Sequence, residues 1–186
     1  MFALLCQVCF AYLLADLFSG VLHWIEDTYN VHKLFICANR YHHIKPHAMV
    51  KHGIWFTIDT SVYLTVPLAL LNAATAQNIL LYLVLLFGSF ANLIHKWSHT
   101  IKAKLPAPVR IMQATGLFCS PRHHRKHHLN NLTCYCAMTN YLNPLLDSIK
   151  FWRGLEHLIY AATRIAPRTK TDREVVDQCI DDGYLH

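Results

Sequence analysis

Long apolar stretches alternate along this chain with polar stretches crowded with basic residues and histidine. From Met1 to Leu22 the only charged residue is Asp16, and from Thr60 to Ile94 there is no Asp, Glu, Lys or Arg in 35 consecutive residues. A transmembrane helix needs about 20 predominantly apolar residues. The first stretch therefore predicts one crossing. The second predicts a hairpin of two short crossings, with a break after Leu71 and a turn around Asn72, Gln77 and Asn78. The intervening loop, from about Glu26 to Thr57, mixes histidines with apolar residues and predicts interfacial helices. Pro106 and Pro108 mark a turn before Val109 to Cys119, an apolar stretch too short to span and expected to lie in the interface. Beyond Pro144, Leu145, Ile149, Trp152, Leu155, Leu158 and Ile159 recur at helical spacing and predict an amphipathic surface helix reaching Ile165. The fold expected is all-α: a polytopic helical membrane protein with about three transmembrane helices plus interfacial helices. Residues 1–168 form one membrane domain. Residues 169–186 form a charged tail, solvated, with at most a short helix around Glu174 to Ile180.

Composition agrees. Of 186 residues, 54% are hydrophobic and only 15% charged, against a usual ~45–50% and ~25%. Disorder and a polar repeat array are thereby excluded. All 17 Lys and Arg lie between Lys33 and Lys51 or from Lys96 onward. Three crossings place both segments on one face, which the positive-inside bias assigns to the cytosol, with the N-terminus opposite. The formal charge of +6 is then a membrane-surface feature and gives no reason to invoke nucleic acid. The first span lacks a basic leader and a small-residue cleavage site and is expected to be retained, with a eukaryotic endomembrane, the endoplasmic reticulum, as the default location. Seven cysteines, an odd number, are scattered and suggest no disulfide framework. Cys6 and Cys9 in the first span, and the Cys134/Cys136 pair, are expected as packed small residues. Trp24, Trp55, Trp97 and Trp152 suit an aromatic belt.

The 14 histidines carry the chemistry. His23 ends the first span, His42 and His43 are adjacent, His95 and His99 form HxxxH, and His123, His124, His127 and His128 lie in HHRKHH. Under the topology above, every cluster lies at one membrane face. HxxxH stacks two imidazoles one turn apart, as two ligands of one metal centre require, and HxxHH repeats the device. A structural zinc takes four ligands, usually including thiolates, and a catalytic zinc takes three. Eight clustered imidazoles instead suit two first-row metals, with non-haem iron preferred to zinc on ligand type.

At these residues the sequence resembles the plasmanylethanolamine desaturases, the Kua or CarF family, which are related to a plastid acyl-lipid desaturase. The matching stretches are ADLFSGVLHW from Ala15 to Trp24, followed by Asp27; HHIKP from His42; NLIHKWSHT from Asn92; and SPRHHRKHH from Ser120. Order and approximate spacing hold from residue 11 to about 168, and HKWSHT resembles the plasmalogen-forming branch more than the plastid one. The resemblance implies that residues 1–168 are a membrane lipid desaturase domain. It implies a di-iron enzyme using O2 and cytochrome b5 electrons to form the vinyl ether in the sn-1 alkyl chain of an ether phospholipid. It carries eight ligands onto His23, His42, His43, His95, His99, His124, His127 and His128. Asp27 matches HWxxD and is expected to orient a ligand imidazole or to act as a minor ligand. Two departures stand out: Asn30 occupies a position where the family has Gly, and an N-terminal crossing that some members carry is not expected here.

Other residues receive plainer expectations. Lys45, Lys51, Lys96, Lys102, Lys104, Arg122, Arg125 and Lys126 give the histidine face a positive surface suited to an acidic electron donor or to lipid phosphate. His52 and His123 are expected beside the site or on the surface; His32, His47, His157 and His186 are expected to be ordinary. Asp16, inside a span, is either functional or hydrogen-bonded to a neighbouring helix. Two further functions stay open: an acyl-chain desaturase or hydroxylase with the same centre, and a non-catalytic membrane module holding about one zinc.

Overall fold

The computed structural model describes residues 2–29 and 33–185, so Asn30, His32 and His186 lie outside the described residues. Among these, the chain forms α-helices and one 3-10 turn, without a strand. Helix α1 (Phe2–Thr28) is followed by α2 (Lys33–Ile44), the short α3 (Ala48–Lys51), α4 (Ile54–Ala74), α5 (Ile79–Gly88) and α6 (Ala91–His99). Then come α7 (Ala107–Thr115), α8 (Pro121–Leu129), α9 (Leu142–Ser148), α10 (Phe151–Thr163) and α11 (Asp172–Asp181).

Two helical stretches are long and apolar enough to cross a membrane, Phe2–Thr28 and Ile79–His99. The expected third falls on α4, a 21-residue helix that contains the apolar stretch Ser61–Ala74. The hairpin turn uses the residues expected but begins three residues late, since α4 runs on to Ala74. Asn72 makes it. Its side chain accepts from Asn78 N at 3.0 Å and donates to Asn78 O at 3.0 Å, while its carbonyl accepts from Gln77 N at 2.7 Å. Asn78 then caps α5 by accepting from Leu81 N.

Helix α1 packs against α5, and Ala11, Ala15, Val84, Ile94 and Met138 form one core cluster. A second joins Trp24, Tyr135, Cys136, Leu146 and Trp152. Both clusters enclose the irregular segment 134–139, which has no helix to satisfy its backbone, so side chains do that work. Asp16 accepts from Met138 N at 2.9 Å and Thr139 Oγ1 at 2.6 Å. Asn143 accepts from Cys136 N and donates to Cys136 O, and Asp147 accepts from Cys134 N. Of the two readings of Asp16, the hydrogen-bonded one describes its surroundings. Gly20 permits the close approach, since a Cβ there would lie 2.6 Å from Cys136 Sγ. Cys134 and Cys136 are buried free thiols.

Three expectations need correction. The amphipathic stretch from Leu145 to Ile165 is two helices, α9 and α10, because Lys150 adopts a left-handed conformation between them. Trp152 and Glu156 turn inward, whereas Leu145, Ile149 and Leu158 are exposed. The C-terminal tail is docked rather than solvated. A capping box between Thr171 and Glu174 starts α11, which packs on α2 through Val175 and Cys179 against Ile36 and Cys37. Finally, a disulfide joins Cys37 to Cys179 across 142 residues, where none was expected.

Candidate metal centre

Four helices deliver the histidines. α1 places His23 and Asp27 one turn apart, α2 carries His42 and His43, α6 carries His95 and His99, and α8 carries His124, His127 and His128. Ser120 starts α8 by accepting from His123 N, and Pro121 follows at the first helical position, where its missing N–H costs nothing.

All eight expected histidines and Asp27 meet. Their ligand atoms form two groups: His42, His95, His99, His124 and His128 in one, and His23, Asp27, His43 and His127 in the other. Within each group these atoms lie within 4.8 Å of one another. A helix turns about 100° per residue, so adjacent His42 and His43 face different groups, as do His127 and His128. Two of the four helices therefore serve both groups, which lie side by side: the His43 and His128 ring centroids are 5.0 Å apart, and those of His23 and His95 are 5.3 Å apart.

The inner nitrogens point at one another. In the five-histidine group, His95 Nε2 lies 2.8 Å from His124 Nε2 and 3.2 Å from His99 Nε2, and His128 Nε2 lies 3.1 Å from His124 Nε2. In the other group, Asp27 Oδ2 lies 3.1 Å from His127 Nε2 and 3.6 Å from His23 Nε2, and Asp27 Oδ1 lies 3.4 Å from His43 Nε2. Two outer nitrogens meet backbone carbonyls. His23 Nδ1 meets the Tyr135 carbonyl at 3.1 Å and His127 Nδ1 meets that of Thr133 at 2.8 Å. A carbonyl only accepts, so Nδ1–H donates and each Nε2 presents its lone pair inward. Asn39 Nδ2 donates to Asp27 Oδ1 at 2.7 Å and fixes the carboxylate. His23 Nε2 and His42 Nε2 are buried without a hydrogen-bond partner.

Burial, reinforced by neighbouring imidazoles, holds His42, His124 and His128 well below the usual histidine range. They are neutral at pH 7, as metal ligation requires. Converging lone pairs, a buried carboxylate and orphaned nitrogens fit two cations of the imidazole-binding type.

The remaining residues sort themselves by contact. His123 is buried but bonds Asn143 Nδ2 at 3.0 Å, outside both groups. His52 stacks on Phe56, also outside, and His157 is exposed. Lys96 departs from the expected positive surface: it is buried and donates to the His52 carbonyl. Lys45, Lys51, Lys102, Lys104, Arg122, Arg125 and Lys126 are exposed as expected. A cavity of about 700 Å³ opens on His99, His124 and His128 and is also lined by Lys102, Arg110, Arg122 and Arg125.

Residues 12–170 match the lipid desaturase domain. The chain is 37% identical over 177 residues to mouse plasmanylethanolamine desaturase 1, covering 84% of this chain and 65% of that one. It is 31% identical to a probable fatty acid desaturase of Acanthamoeba polyphaga mimivirus, covering 92% of this chain and 90% of the relative. It is 29% identical to plasmanylethanolamine desaturase of Myxococcus xanthus, covering 89% and 63% respectively. The chain thus spans just under two thirds of the mouse and Myxococcus proteins. No solved structure matches it with significance.

Proposed function

The chain belongs to the lipid desaturase domain family, and from there we propose that it is a membrane non-haem di-iron desaturase acting on plasmanylethanolamine. The reaction introduces the vinyl-ether double bond between C1 and C2 of the sn-1 alkyl chain. The two hydrogen atoms removed, together with two electrons from a donor such as cytochrome b5 and two protons from solvent, reduce O2 to two waters. The observation that carries this reading is the convergence of eight neutral-type ligands and one carboxylate in two adjacent groups.

An unactivated C–H bond offers no acid, base or nucleophile a handle. When bound, iron supplies the oxidising chemistry. The chain's own residues do the rest. His42, His95, His99, His124 and His128 would hold one iron, and His23, His43, His127 and Asp27 the other. Tyr135 and Thr133 carbonyls fix two of these rings from behind, and the surrounding core excludes water. The cavity beside His99, His124 and His128 admits the reacting chain, and the cations lining it suit the lipid phosphate. The exposed lysines and arginines around it suit an acidic electron donor.

Three crossings, an endoplasmic reticulum location and a cytosolic active site belong to this proposal; the crossings rest on the apolar runs and the facing on the charge distribution. So does the division into a desaturase domain at 1–168 and a C-terminal segment at 169–186. A second reading, desaturation or hydroxylation of an acyl chain, is favoured by the mimivirus relative, a probable fatty acid desaturase covered over 90% of its length. A lipid mass-spectrometric profile of plasmalogen-deficient cells expressing this chain separates them. New acid-labile vinyl ethers that vanish with His127→Ala support the first reading, and a rise in acyl unsaturation supports the second. No change in any lipid, with the protein inserted and metal-loaded, supports the non-catalytic module.

A further inference from the structure

Three rings of the carboxylate-containing group have an outward nitrogen whose partner matters. For His23 and His127 the partner is a backbone carbonyl. For His43 it is a side chain: Asp172 Oδ2 lies 3.3 Å from His43 Nδ1, while His43 Nε2 faces Asp27 and His127. We propose that Asp172 is a positioning residue of the metal centre, holding His43 with Nδ1–H outward and the Nε2 lone pair on the ligand side. This rests on the di-metal reading above and assigns a function to α11, which begins beyond the matched domain, residues 12–170.

The placement of Asp172 is restrained from several directions. Its other oxygen, Oδ1, accepts from the Arg40 guanidinium. Arg40 is itself buried, and it donates from Nε to the Glu26 carbonyl at 3.1 Å and from a terminal nitrogen to the Asp27 carbonyl. Thus one arginine ties Asp172 to the end of α1 that supplies Asp27. The Thr171–Glu174 capping box fixes where α11 begins, and the Cys37–Cys179 disulfide with Ile36 and Val175 fixes where it lies. A carboxylate behind a ligand imidazole sets the tautomer, fixes the ring's orientation and raises its donor strength, and loss of such a partner typically costs ~10–100-fold in metal affinity. Arg40 alone would account for a structural ion pair; the His43 contact is what a pure salt bridge does not require.

The test uses the full chain, purified in detergent, loaded with ⁵⁷Fe and challenged with a graded chelator series, with Mössbauer spectra recorded alongside. Asp172→Asn keeps the size and leaves one acceptor oxygen to share between Arg40 and His43. Expected is the loss of one of two irons at ~10–100-fold lower chelator concentration, with a changed spectrum for one iron and the other unaltered, and recovery in Asp172→Glu. Glu174→Gln weakens the start of α11 without touching His43 and is expected to keep both irons and both signals. Wild-type chelator resistance and an unchanged spectrum in Asp172→Asn would overturn the proposal. So would an equal loss in Glu174→Gln, which would assign the effect to docking of the helix. A wild-type protein that takes up no iron would instead overturn the di-metal reading, and this proposal with it.

Discussion

Asp27 is the one carboxylate among the nine candidate ligands, and its oxygens face three imidazoles within 3.6 Å. With neutral rings, its group carries one negative charge and the five-histidine group none, so the two cation positions differ electrostatically. Asp27→Asn keeps the shape and removes the charge. Iron analysis should show preferential loss of one equivalent, and vinyl-ether formation should fall at least tenfold. His127→Ala and His99→Ala should abolish activity while His157→Ala, at an exposed ring, leaves it intact; equal loss in all three would point to misfolding. Asp16 matters for stability instead. Asp16→Ala leaves the Met138 N–H and the Thr139 hydroxyl proton without their acceptor, while Thr139 Oγ1 still accepts from Tyr141 N, and should cost about 3 kcal/mol, read as a lower melting temperature in detergent. His95, His99, His124, His127 and His128 were legible from helical spacing, whereas His23, His42 and His43 entered the set through the family resemblance. Their division between two groups follows from the 100° step between adjacent residues but needs the helices' relative placement to be seen.

At the level of elements, α1 and segment 134–139 meet where Gly20 lacks a side chain. Gly20→Ala would set a methyl 2.6 Å from Cys136 Sγ and 3.2 Å from its backbone. It should destabilise by about 1–3 kcal/mol, and adding Cys136→Ala should restore only part, because the backbone contact remains; thermal melts of the two variants check both. The periodic stretch from Leu145 to Ile165 reads as one helix and is two, whereas the long helices could be read from uncharged apolar runs and the hairpin from its asparagines. Segment 134–139 could not: it has no period, and Asp16, Asn143 and Asp147, which satisfy its backbone, are scattered in sequence. The tail reads from its sequence as holding at most a short helix around Glu174 to Ile180, and nothing local announces the docking of α11, whose partners lie on α2, more than a hundred residues earlier.

Over the whole molecule, Phe2, Leu4, Tyr63, Leu70 and Ile79 are all at least 60% exposed, an apolar exterior that water would not tolerate but a bilayer would. Two criteria disagree about which compartment the histidine face meets. The clustered lysines and arginines assign it to the cytosol, whereas a disulfide beside it belongs to an oxidising environment. Cysteine chemistry decides. Denatured without reductant, the protein should alkylate at five cysteines, and with reductant at seven. Seven labels without reductant, taken from freshly solubilised membranes, would put the pair in a reducing compartment. The Asp172 contacts to Arg40 and His43 and the apolar contacts of Val175 would then hold α11 in place.

The Cys37–Cys179 bond also bears on how the protein is made. Synthesis is vectorial, and N-terminal segments begin to fold first. Every histidine of the two groups is translated before Asp172 and Cys179. A nascent chain that captured metal at that point would hold it with His43 free to turn. Biogenesis should therefore proceed in two stages, with loose capture first and a fixed centre only once the final helix has swung back onto the second.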